Sequence, residues 1–278
     1  MNLGIIGNGF VGSSVVHGFS LSVENVHICD VDPRLSTCSF DELVHNSDVI
    51  FVCVPTPMRT TGKIDISIVK SVLSKIQECE VKDPVVVVKS TVVPGTCEKL
   101  SQEFPGLRIV FNPEFLTERN ARLDFINTSR IVLGGDDEDA MLLVEKLYRE
   151  RFPTTTIIKT DFASAQLIKY IANCFFATKV SFMNEMKQVS DAAGADWDDV
   201  MHGFISDGRV GNSHLDVPGH DGDHGFGGKC FPKDINAMIT RCEEIGVQPT
   251  VLKAAWDKNM EVRENHDWIN IKGAVSDE

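Results

Sequence analysis

The segment GFGGKCFPKD, residues 225–234, places a cysteine where a helix is predicted to begin. Pro232 is typical of the first turn of a helix, so Cys230 is expected just before the helix N-terminus, with Lys229 and Lys233 beside it. The helix dipole and the two cations favour the thiolate, which is the reactive form of cysteine. The glycines upstream leave room for a substrate. Cys230 is therefore predicted to be a nucleophile, and the alternative of an inert buried thiol suits this position poorly.

A lysine and an asparagine, Lys169 and Asn173, lie four residues apart in a long helical pattern and therefore share one helix face. One interpretation is a surface lysine with an asparagine that the helix tolerates. However, the helix is mostly apolar, and polar groups in such surroundings need partners, which a substrate oxygen would supply. The pair would suit the polarisation of a hydroxyl group or the stabilisation of a developing oxyanion.

The hexapeptide GNGFVG follows the first predicted strand and precedes a helical pattern, and Asp30 ends the next predicted strand. This arrangement is typical of dinucleotide binding: glycines allow a tight turn and close approach of a pyrophosphate to a helix N-terminus, and the acid accepts the ribose hydroxyls. An acid at this position favours NAD over NADP. Asp32 is the alternative ribose ligand, although its position is typical of a turn cap. The predicted cofactor-binding residues in this part of the chain are Gly7, Gly9, Phe10, Val11, Gly12 and Asp30.

Short apolar runs alternate with helical patterns over the first 160 residues, which predicts a series of βαβ units. These units are expected to position the residues of the dinucleotide site. The predicted strands are Leu3–Ile6, Val26–Cys29, Val49–Val54, Val85–Val88, Arg108–Phe111 and Ile131–Leu133. Nearly continuous apolar strands indicate a Rossmann-type, doubly wound parallel sheet that binds ligands at the carboxyl ends of its strands. The predicted class is α/β.

A helical region follows the sheet. It is predicted to begin with a helix from Asp161 to about Ala193, which contains neither Pro nor Gly. This helix is apolar nearly all round and must be covered, so it is a candidate homodimer interface. Two more helical patterns follow, at about Pro232–Ile245 and Pro249–Asn265. The predicted domains are an NAD-binding domain over 1–160 and a helical dimerisation domain over 161–278.

Composition excludes several classes of protein. The 278 residues carry a formal net charge of -13 without a basic block, which argues against a nucleic-acid partner. The apolar runs are strand-sized, which argues against a membrane span. The eight cysteines contain no CxxC pair, and the N-terminus has no basic, cleavable leader, so a reducing, cytoplasmic compartment is expected.

One loop is dense in potential metal ligands. Their spacing matches neither an HExxH helix nor a calcium loop, so we predict no metal site. The residues concerned are His214, Asp216, His220, Asp221, Asp223 and His224.

From Met1 to about Asn265 the chain resembles the UDP-glucose/GDP-mannose 6-dehydrogenase family. The resemblance rests on seven motifs in the family's order. They are Gly7–Gly12, residues 54–57 (VPTP), 89–96 (KSTVVPGT), 112–118 (NPEFLTE), 169–173 (KYIAN), 209–212 (RVGN) and 225–234.

The resemblance implies a two-fold oxidation of the C6 alcohol of a nucleotide sugar to a carboxylate, with the reduction of two NAD. UDP-glucose is the first candidate for that nucleotide sugar. It implies that Cys230 traps the aldehyde as a thiohemiacetal, and that Lys169 and Asn173 hold the C6 oxygen. Thr91, Glu118 and Asp234 match positions that handle water and protons in the family. Thr56 and Thr91 are implied cofactor contacts. The implied substrate-binding residues are Glu114, Phe115, Leu116, Lys169, Asn173, Arg209, Asn212, Gly227 and Lys233, with Arg209 reaching the neighbouring subunit.

Typical members of the family continue with a second Rossmann-like domain that holds the nucleotide, which is expected to be absent here. Either the loop from His214 to His224 and the dimer partner then hold the substrate, or a separate chain supplies the domain in trans. Two alternatives stay open. One is a non-catalytic NAD-binding subunit. The other is a β-hydroxyacid dehydrogenase, which shares the size, layout and Lys-x-x-x-Asn pair but transfers one hydride and needs no thiolate.

Overall fold

The structure is a computed structural model that describes residues 1–81 and 83–276; the last two residues of the predicted helical domain lie outside this part. The chain divides into two compact units. The first contains Met1–Thr56 and Asp65–Lys169, and the second contains Pro57–Ile64 and Tyr170–Glu278.

The first unit is built on a seven-stranded sheet in the order β2-β1-β3-β4-β5-β6-β7. The strands are β1 Asn2–Ile6, β2 Asn25–Cys29, β3 Val49–Val52, β4 Val85–Val88, β5 Arg108–Phe111, β6 Arg130–Gly134 and β7 Thr156–Thr160. All neighbouring strands are parallel except β5 and β6, which meet antiparallel at one residue pair. The predicted Rossmann-type class is confirmed, and the antiparallel junction is the exception to the predicted parallel sheet.

Strand β7 was not among the predicted strands. It lies at the edge of the sheet, and none of its five residues is fully buried. An edge strand needs no continuous apolar run because one side has no neighbouring strand, so the pattern that reveals the central strands is missing. By contrast, every residue of β3 and β4 is buried, as expected for strands covered on both faces.

Among the described residues of this unit, the helices that accompany the sheet are α1 Phe10–Phe19, α2 Phe40–His45, α3 Ser67–Glu78, α4 Thr96–Glu103, α5 Ala121–Ile126 and α6 Glu138–Arg151. An aromatic group centred on Phe19 joins α1, α5 and α6 to the sheet. The ring centroid of Phe19 lies 5.1 Å from that of Tyr148 and 5.7 Å from that of Phe125. These edge-on contacts add to the apolar burial that fixes α1, and with it the turn that precedes this helix.

The long helix α7, Phe162–Ala193, begins in the first unit and continues through the second. Asp161 caps it, since its carboxylate accepts the backbone N–H of Ser164 at 2.8 Å. The second unit continues with α8 Trp197–Ile205, α9 Phe231–Glu244 and α10 Thr250–Val262. Helix α8 was not predicted. None of the described helices has the length and mean hydropathy that a membrane span requires.

Residues 57–64 leave the sheet after β3 and belong to the second unit. The backbone N–H of Met58 donates to the carbonyl of Ala274, and that of Ser276 donates to the carbonyl of Met58, both at 2.8 Å. Lys63 pairs with Glu244 at the end of α9. The segment therefore adds a short extended pairing to the helical unit.

Candidate active site

The turn between β1 and α1 can be made only with glycine. Gly7 has a φ of +91°, and a Cβ there would lie 2.8 Å from the carbonyl oxygen of Cys53. A Cβ on Gly12 would lie 1.9 Å from the carbonyl oxygen of Gly7. A Cβ on Gly9 meets nothing within 4 Å. The first and third glycines therefore allow close packing of helix and strand, and the second leaves open space at the N-terminus of α1.

The first turn of α1 fits a bound dinucleotide. Gly9 is its N-cap, and among the described residues no side chain caps it, so its first amides are available to an anion. Phe10 and Val11 form its first two positions. Asn8 donates from its backbone N–H to Asp30 Oδ2 at 2.6 Å, and its own buried Oδ1 has no hydrogen-bond partner in the described part of the chain. This orphaned acceptor and the open N-terminus are features that a nucleotide would satisfy.

Asp30 and Asp32 have different surroundings. Asp32 caps the following 3-10 turn and binds Arg34 through both carboxylate oxygens. Asp30 accepts the backbone N–H of Asp32 at 2.9 Å through Oδ1. Asp32 thus has the turn-cap position predicted for it, which leaves Asp30 as the ribose candidate.

Lys169 is a buried lysine in the first unit. Its Nζ lies 2.8 Å from Glu114 Oε1, with side chains 3% and 5% exposed, and 5.7 Å from the ring centroid of Phe115. The other oxygen of Glu114 accepts the backbone N–H of Leu116 at 2.6 Å. Lys169 is therefore not a surface lysine, and Glu114 fixes the position of its ammonium group.

Asn173, one turn further along α7, binds Asp234 in the second unit. Asp234 is 1% exposed and accepts from Asn173 Nδ2 at 2.6 Å and from Lys233 Nζ at 2.5 Å. Its own carbonyl oxygen lies 3.9 Å from the sulfur of Cys174. The predicted residues Asn173, Lys233 and Asp234 thus form one buried, hydrogen-bonded group at the first turn of α9.

Cys230 is the N-cap of α9 and is partly exposed. Its carbonyl oxygen accepts the backbone N–H of Asp234 at 2.8 Å, which is the first hydrogen bond of the helix. The predicted place of the thiol at a helix N-terminus is observed. Other cysteines are held as neutral thiols: burial raises the pKa of Cys53 to about 12, and burial with the nearby Asp234 raises that of Cys174 well above its ordinary value.

The glycines before Cys230 serve different purposes. A Cβ on Gly227 would lie 2.2 Å from Arg263 Nη2 and 2.3 Å from Asp267 Oδ1, so protein atoms fill that side. A Cβ on Gly228, whose φ is +74°, meets nothing within 4 Å. The open space expected near the sulfur therefore lies at Gly228, and the missing side chain of Gly227 is needed for packing.

The remaining predicted residues belong partly to the first unit and partly to the second. The hydroxyl of Thr56 donates to the carbonyl of Thr91 at 2.9 Å in the first unit. Glu118 is exposed and lines a groove of about 260 Å³ with Phe10. Arg209 is exposed and pairs with Asp207, and Asn212 is exposed. No hydrogen bond or ion pair among residues 1–81 and 83–276 joins Arg209 or Asn212 to Asn173 or Asp234.

Sequence reasoning missed a buried polar group at the carboxyl ends of β4 and β5. Lys89 is 4% exposed and donates to Asn112 Oδ1 at 2.8 Å, which also accepts from the hydroxyl of Tyr148 at 2.5 Å. The amide of Asn112 donates to the carbonyl of Val132. Burial lowers the pKa of Lys89 to about 8. The available signal was a lysine directly after four buried valines.

This lysine predicts a pH-dependent stability. The unfolded chain keeps the proton of Lys89 up to about pH 10.4, whereas the folded protein releases it near pH 8, so its contribution to stability rises with pH between these values. We expect the free energy of unfolding of Lys89→Met, relative to that of wild type, to fall by about 1 kcal/mol between about pH 8 and pH 9. Urea unfolding at the two pH values measures it.

The comparison between variant and wild type is needed because the stability that Cys53 contributes changes with pH in the opposite direction. Its pKa is raised to about 12, so the stability that it contributes is present below pH 9 and is lost as pH rises toward 12. Burial is the largest cause of that shift and is present in both proteins, so most of the loss cancels in the comparison. A stability difference that stays constant with pH would contradict the assignment for Lys89.

Side chains of the loop from His214 to His224 contact other protein groups. In the described ranges, no three His, Cys, Asp or Glu side chains are arranged to hold a metal ion. His214 stacks on Phe176 with ring centroids 4.3 Å apart. Asp221 binds Arg263 at 2.8 Å.

Comparison with known proteins gives matches over most of the chain. Residues 33–152 match the model of the UDP-glucose/GDP-mannose dehydrogenase family, NAD binding domain, and residues 163–261 match that family's central domain. The first match confirms the expected cofactor, NAD.

Among curated proteins, the chain is 35% identical to a UDP-glucose 6-dehydrogenase of Rickettsia bellii over 237 residues, 82% of this chain and 53% of the relative. It is 30% identical to UDP-glucose 6-dehydrogenase AglM of Haloferax volcanii over 304 residues, 93% of this chain and 69% of the relative. The chain thus spans about half to two thirds of the length of these relatives.

Among solved structures, a UDP-glucose dehydrogenase from Pyrobaculum islandicum matches with a TM-score of 0.83 and 29% identity, over 94% of this chain and 68% of that chain. A 3-hydroxyisobutyrate dehydrogenase from Mycobacterium tuberculosis matches with a TM-score of 0.76 over 94% of this chain and 92% of that chain. At 15% identity the second match concerns the fold alone.

Proposed function

Because the chain belongs to the UDP-glucose/GDP-mannose dehydrogenase family, we propose that it oxidises the C6 alcohol of a nucleotide sugar to the carboxylate and reduces two NAD in doing so. UDP-glucose is the first candidate substrate, because the similar curated proteins are named UDP-glucose 6-dehydrogenases. One observation carries the proposal. A partly exposed cysteine caps α9, one turn before an aspartate that is buried and hydrogen-bonded to Asn173 and Lys233.

The first unit supplies the cofactor site. The open N-terminus of α1 at Gly9 would hold the pyrophosphate, and Asp30 would accept the ribose hydroxyls. The unpartnered Oδ1 of Asn8 is a further acceptor. When bound, NAD accepts a hydride. Thr56 and Thr91 complete the proposed cofactor contacts.

Lys169 and Asn173 act on the C6 oxygen. An ammonium and an amide one helical turn apart stabilise the negative charge that develops on that oxygen as the alcohol loses its proton. Glu114 keeps the ammonium in place, because its carboxylate lies 2.8 Å away and is itself held by the backbone. In this step the alcohol loses its O–H proton and a hydride from C6, for which bound NAD would be the acceptor, and the aldehyde results.

Cys230 acts on the aldehyde. An aldehyde has no hydroxyl group whose proton could leave together with a hydride. Its oxidation to an acid therefore requires an adduct at the carbonyl carbon, and a thiolate provides one. The sulfur bonds to C6 and forms a thiohemiacetal, whose C6–H leaves as the second hydride and whose oxygen loses a proton. The result is a thioester on Cys230.

Hydrolysis of the thioester then releases the acid. Water adds to C6, the C–S bond breaks, and the thiolate of Cys230 is regenerated with the carboxylate product. Thr91, Glu118 and Asp234 are the residues proposed to orient the water and accept its proton. We assign substrate binding to Glu114, Phe115, Leu116, Arg209, Asn212, Gly227 and Lys233.

The function is tested with the purified full chain, NAD and a panel of nucleotide sugars that differ in base and sugar. NADH absorbance reports oxidation, and chromatography with mass detection identifies the acid. A UDP-hexuronate from UDP-glucose supports the proposal. NADH formed only when a nucleotide-binding domain is added as a separate chain supports the split enzyme instead. NAD binding without any oxidation supports the non-catalytic subunit.

We further propose that α7 forms a homodimer interface. Four apolar side chains recur on this helix at spacings of four and seven residues and are 51–61% exposed. They are Ile171, Phe175, Phe182 and Val189. Large apolar side chains in such a stripe are typical of a surface that a partner covers.

The expected effect of Phe175→Asp is dissociation of this dimer, because a carboxylate at the centre of an apolar interface would be buried without a partner. We expect the dimer to be at least about 30-fold weaker, as measured by sedimentation equilibrium. Leu142→Asp is the matched control, since Leu142 on α6 is also an exposed apolar residue, at 44%. Equal dimerisation in both variants would exclude α7 as the interface.

A further inference from the structure

The segment that leads into Cys230 is held by side chains from three other parts of the second unit. The backbone N–H of Gly225 donates to Asn184 Oδ1 on α7 at 3.1 Å. The backbone N–H of Gly228 donates to both oxygens of Asp267, each at 3.1 Å. A third contact comes from Asn259 on α10. The segment is thus hydrogen-bonded at three of the residues that shortly precede Cys230.

Asn259 makes the contact with the most complete geometry. Its Oδ1 accepts the backbone N–H of Phe226 at 2.6 Å, and its Nδ2 donates to the carbonyl of Phe226 at 3.0 Å. The side chain is 0% exposed, so both bonds lie out of water. A planar amide that satisfies both backbone groups of one residue fixes its position and its orientation.

The side chain of Asn259 is tightly packed against the segment. A Cβ on Gly225 would lie 2.3 Å from Asn259 Oδ1, so the amide fits directly against the backbone of this glycine. Arg263, the residue after the end of α10, has a side chain that is 1% exposed and binds Asp221 and Asp267. Asn259 therefore binds the segment directly, and Arg263 binds Asp267, which contacts the same segment at Gly228.

We propose that Asn259 is a positioning residue for Cys230: it fixes the segment that leads into α9 and so keeps the thiol at the N-terminus of that helix. Asn259 acts through the backbone of residues 225–229 and takes no part in the chemistry itself. The catalytic consequence rests on the proposed function, whereas the effect on the thiol does not. Asp267 acts in the same sense through Gly228.

The test compares Asn259→Ala with wild type in the full chain. Iodoacetamide alkylation of Cys230 is followed by peptide mass analysis, which separates it from the other cysteines and needs no substrate. We expect alkylation to slow about tenfold, because the thiol loses its fixed place at the helix N-terminus. We expect kcat with UDP-glucose to fall about 100-fold while KM for NAD stays unchanged, since misplacement of a reacting group acts on the chemical step.

Two further variants make the result decisive. Asp257→Ala, at an exposed position of the same helix, is the matched control and should leave alkylation unchanged. Asp267→Ala, at a side chain 30% exposed, should fold even if Asn259→Ala does not, and should slow alkylation in the same direction. Alkylation of Cys230 within about twofold of wild type in a folded Asn259 or Asp267 variant would overturn the proposal. If wild type oxidises no nucleotide sugar, the proposed function fails, but the alkylation rates still decide this inference.

Discussion

Replacing Cys230 with alanine is expected to abolish formation of the carboxylate while NAD binding stays at the wild-type level. The proposed second oxidation needs a covalent adduct at C6, and no adduct forms without the sulfur. We expect the rate of acid formation to fall by at least about 10⁴-fold, as for the loss of a nucleophile in other enzymes with covalent intermediates. Chromatographic detection of the acid measures the first effect, and calorimetric titration with NAD measures the second.

Cys242→Ala is the matched control for this variant. Cys242 is on the same helix α9 and is also partly exposed, and burial raises its pKa, so it is expected to remain a neutral thiol. Its replacement should leave acid formation unchanged. Acid formation at the wild-type rate in Cys230→Ala would exclude covalent catalysis at this position.

The second large effect is expected at Lys169. Lys169→Met keeps much of the side-chain volume but removes the ammonium proposed to stabilise the oxyanion at C6. We expect kcat to fall by about 10²- to 10³-fold, the usual loss for one oxyanion-stabilising donor, with KM for NAD unchanged. Steady-state kinetics with NAD and UDP-glucose measures both constants.

A stability effect accompanies this substitution and must be separated from it. Glu114 is buried and would lose its ion-pair partner, which costs about 3–5 kcal/mol when one member of a buried pair is removed. The double variant Lys169→Met with Glu114→Gln removes the unpaired charge and should recover most of that stability without recovering kcat. Recovery of kcat in the double variant, or a change confined to KM, would remove Lys169 from the chemistry.

The central strands of the sheet can be predicted from the sequence because their burial requires continuous apolar runs. Strands β3 and β4 are apolar at every position since helices cover both faces of the sheet. Strand β7 has no such apolar run, because it is an edge strand whose residues are exposed or partly exposed. The antiparallel pairing of β5 and β6 has no local sequence signal, since it depends on the path of the intervening chain.

The candidate site is predictable where function depends on local geometry. Pro232 places Cys230 at a helix N-terminus, and Gly7 and Gly12 mark a turn that only glycine can make. These features need only neighbouring residues to be recognised. The sequence therefore identifies the residue types that carry the chemistry and the helix ends that hold them.

The partners of these residues are not predictable in the same way. Lys169 required a partner, but Glu114 is 55 positions away in the chain and became identifiable only through the fold. Asn259 gives no signal in the sequence, because an asparagine on an amphipathic helix is compatible with many surroundings. Its role depends on the packing of α10 against residues 225–228, which is a tertiary property.

The ratio of NADH formed to nucleotide sugar consumed tests the central claim most directly, because it counts the oxidations at C6. Wild-type protein is incubated with a limiting amount of UDP-glucose and excess NAD until absorbance is constant, and the sugar and its product are quantified. We predict two NADH for each UDP-glucose consumed, with the carboxylate as the only product. One NADH for each UDP-glucose, with an aldehyde as the product, would contradict the account.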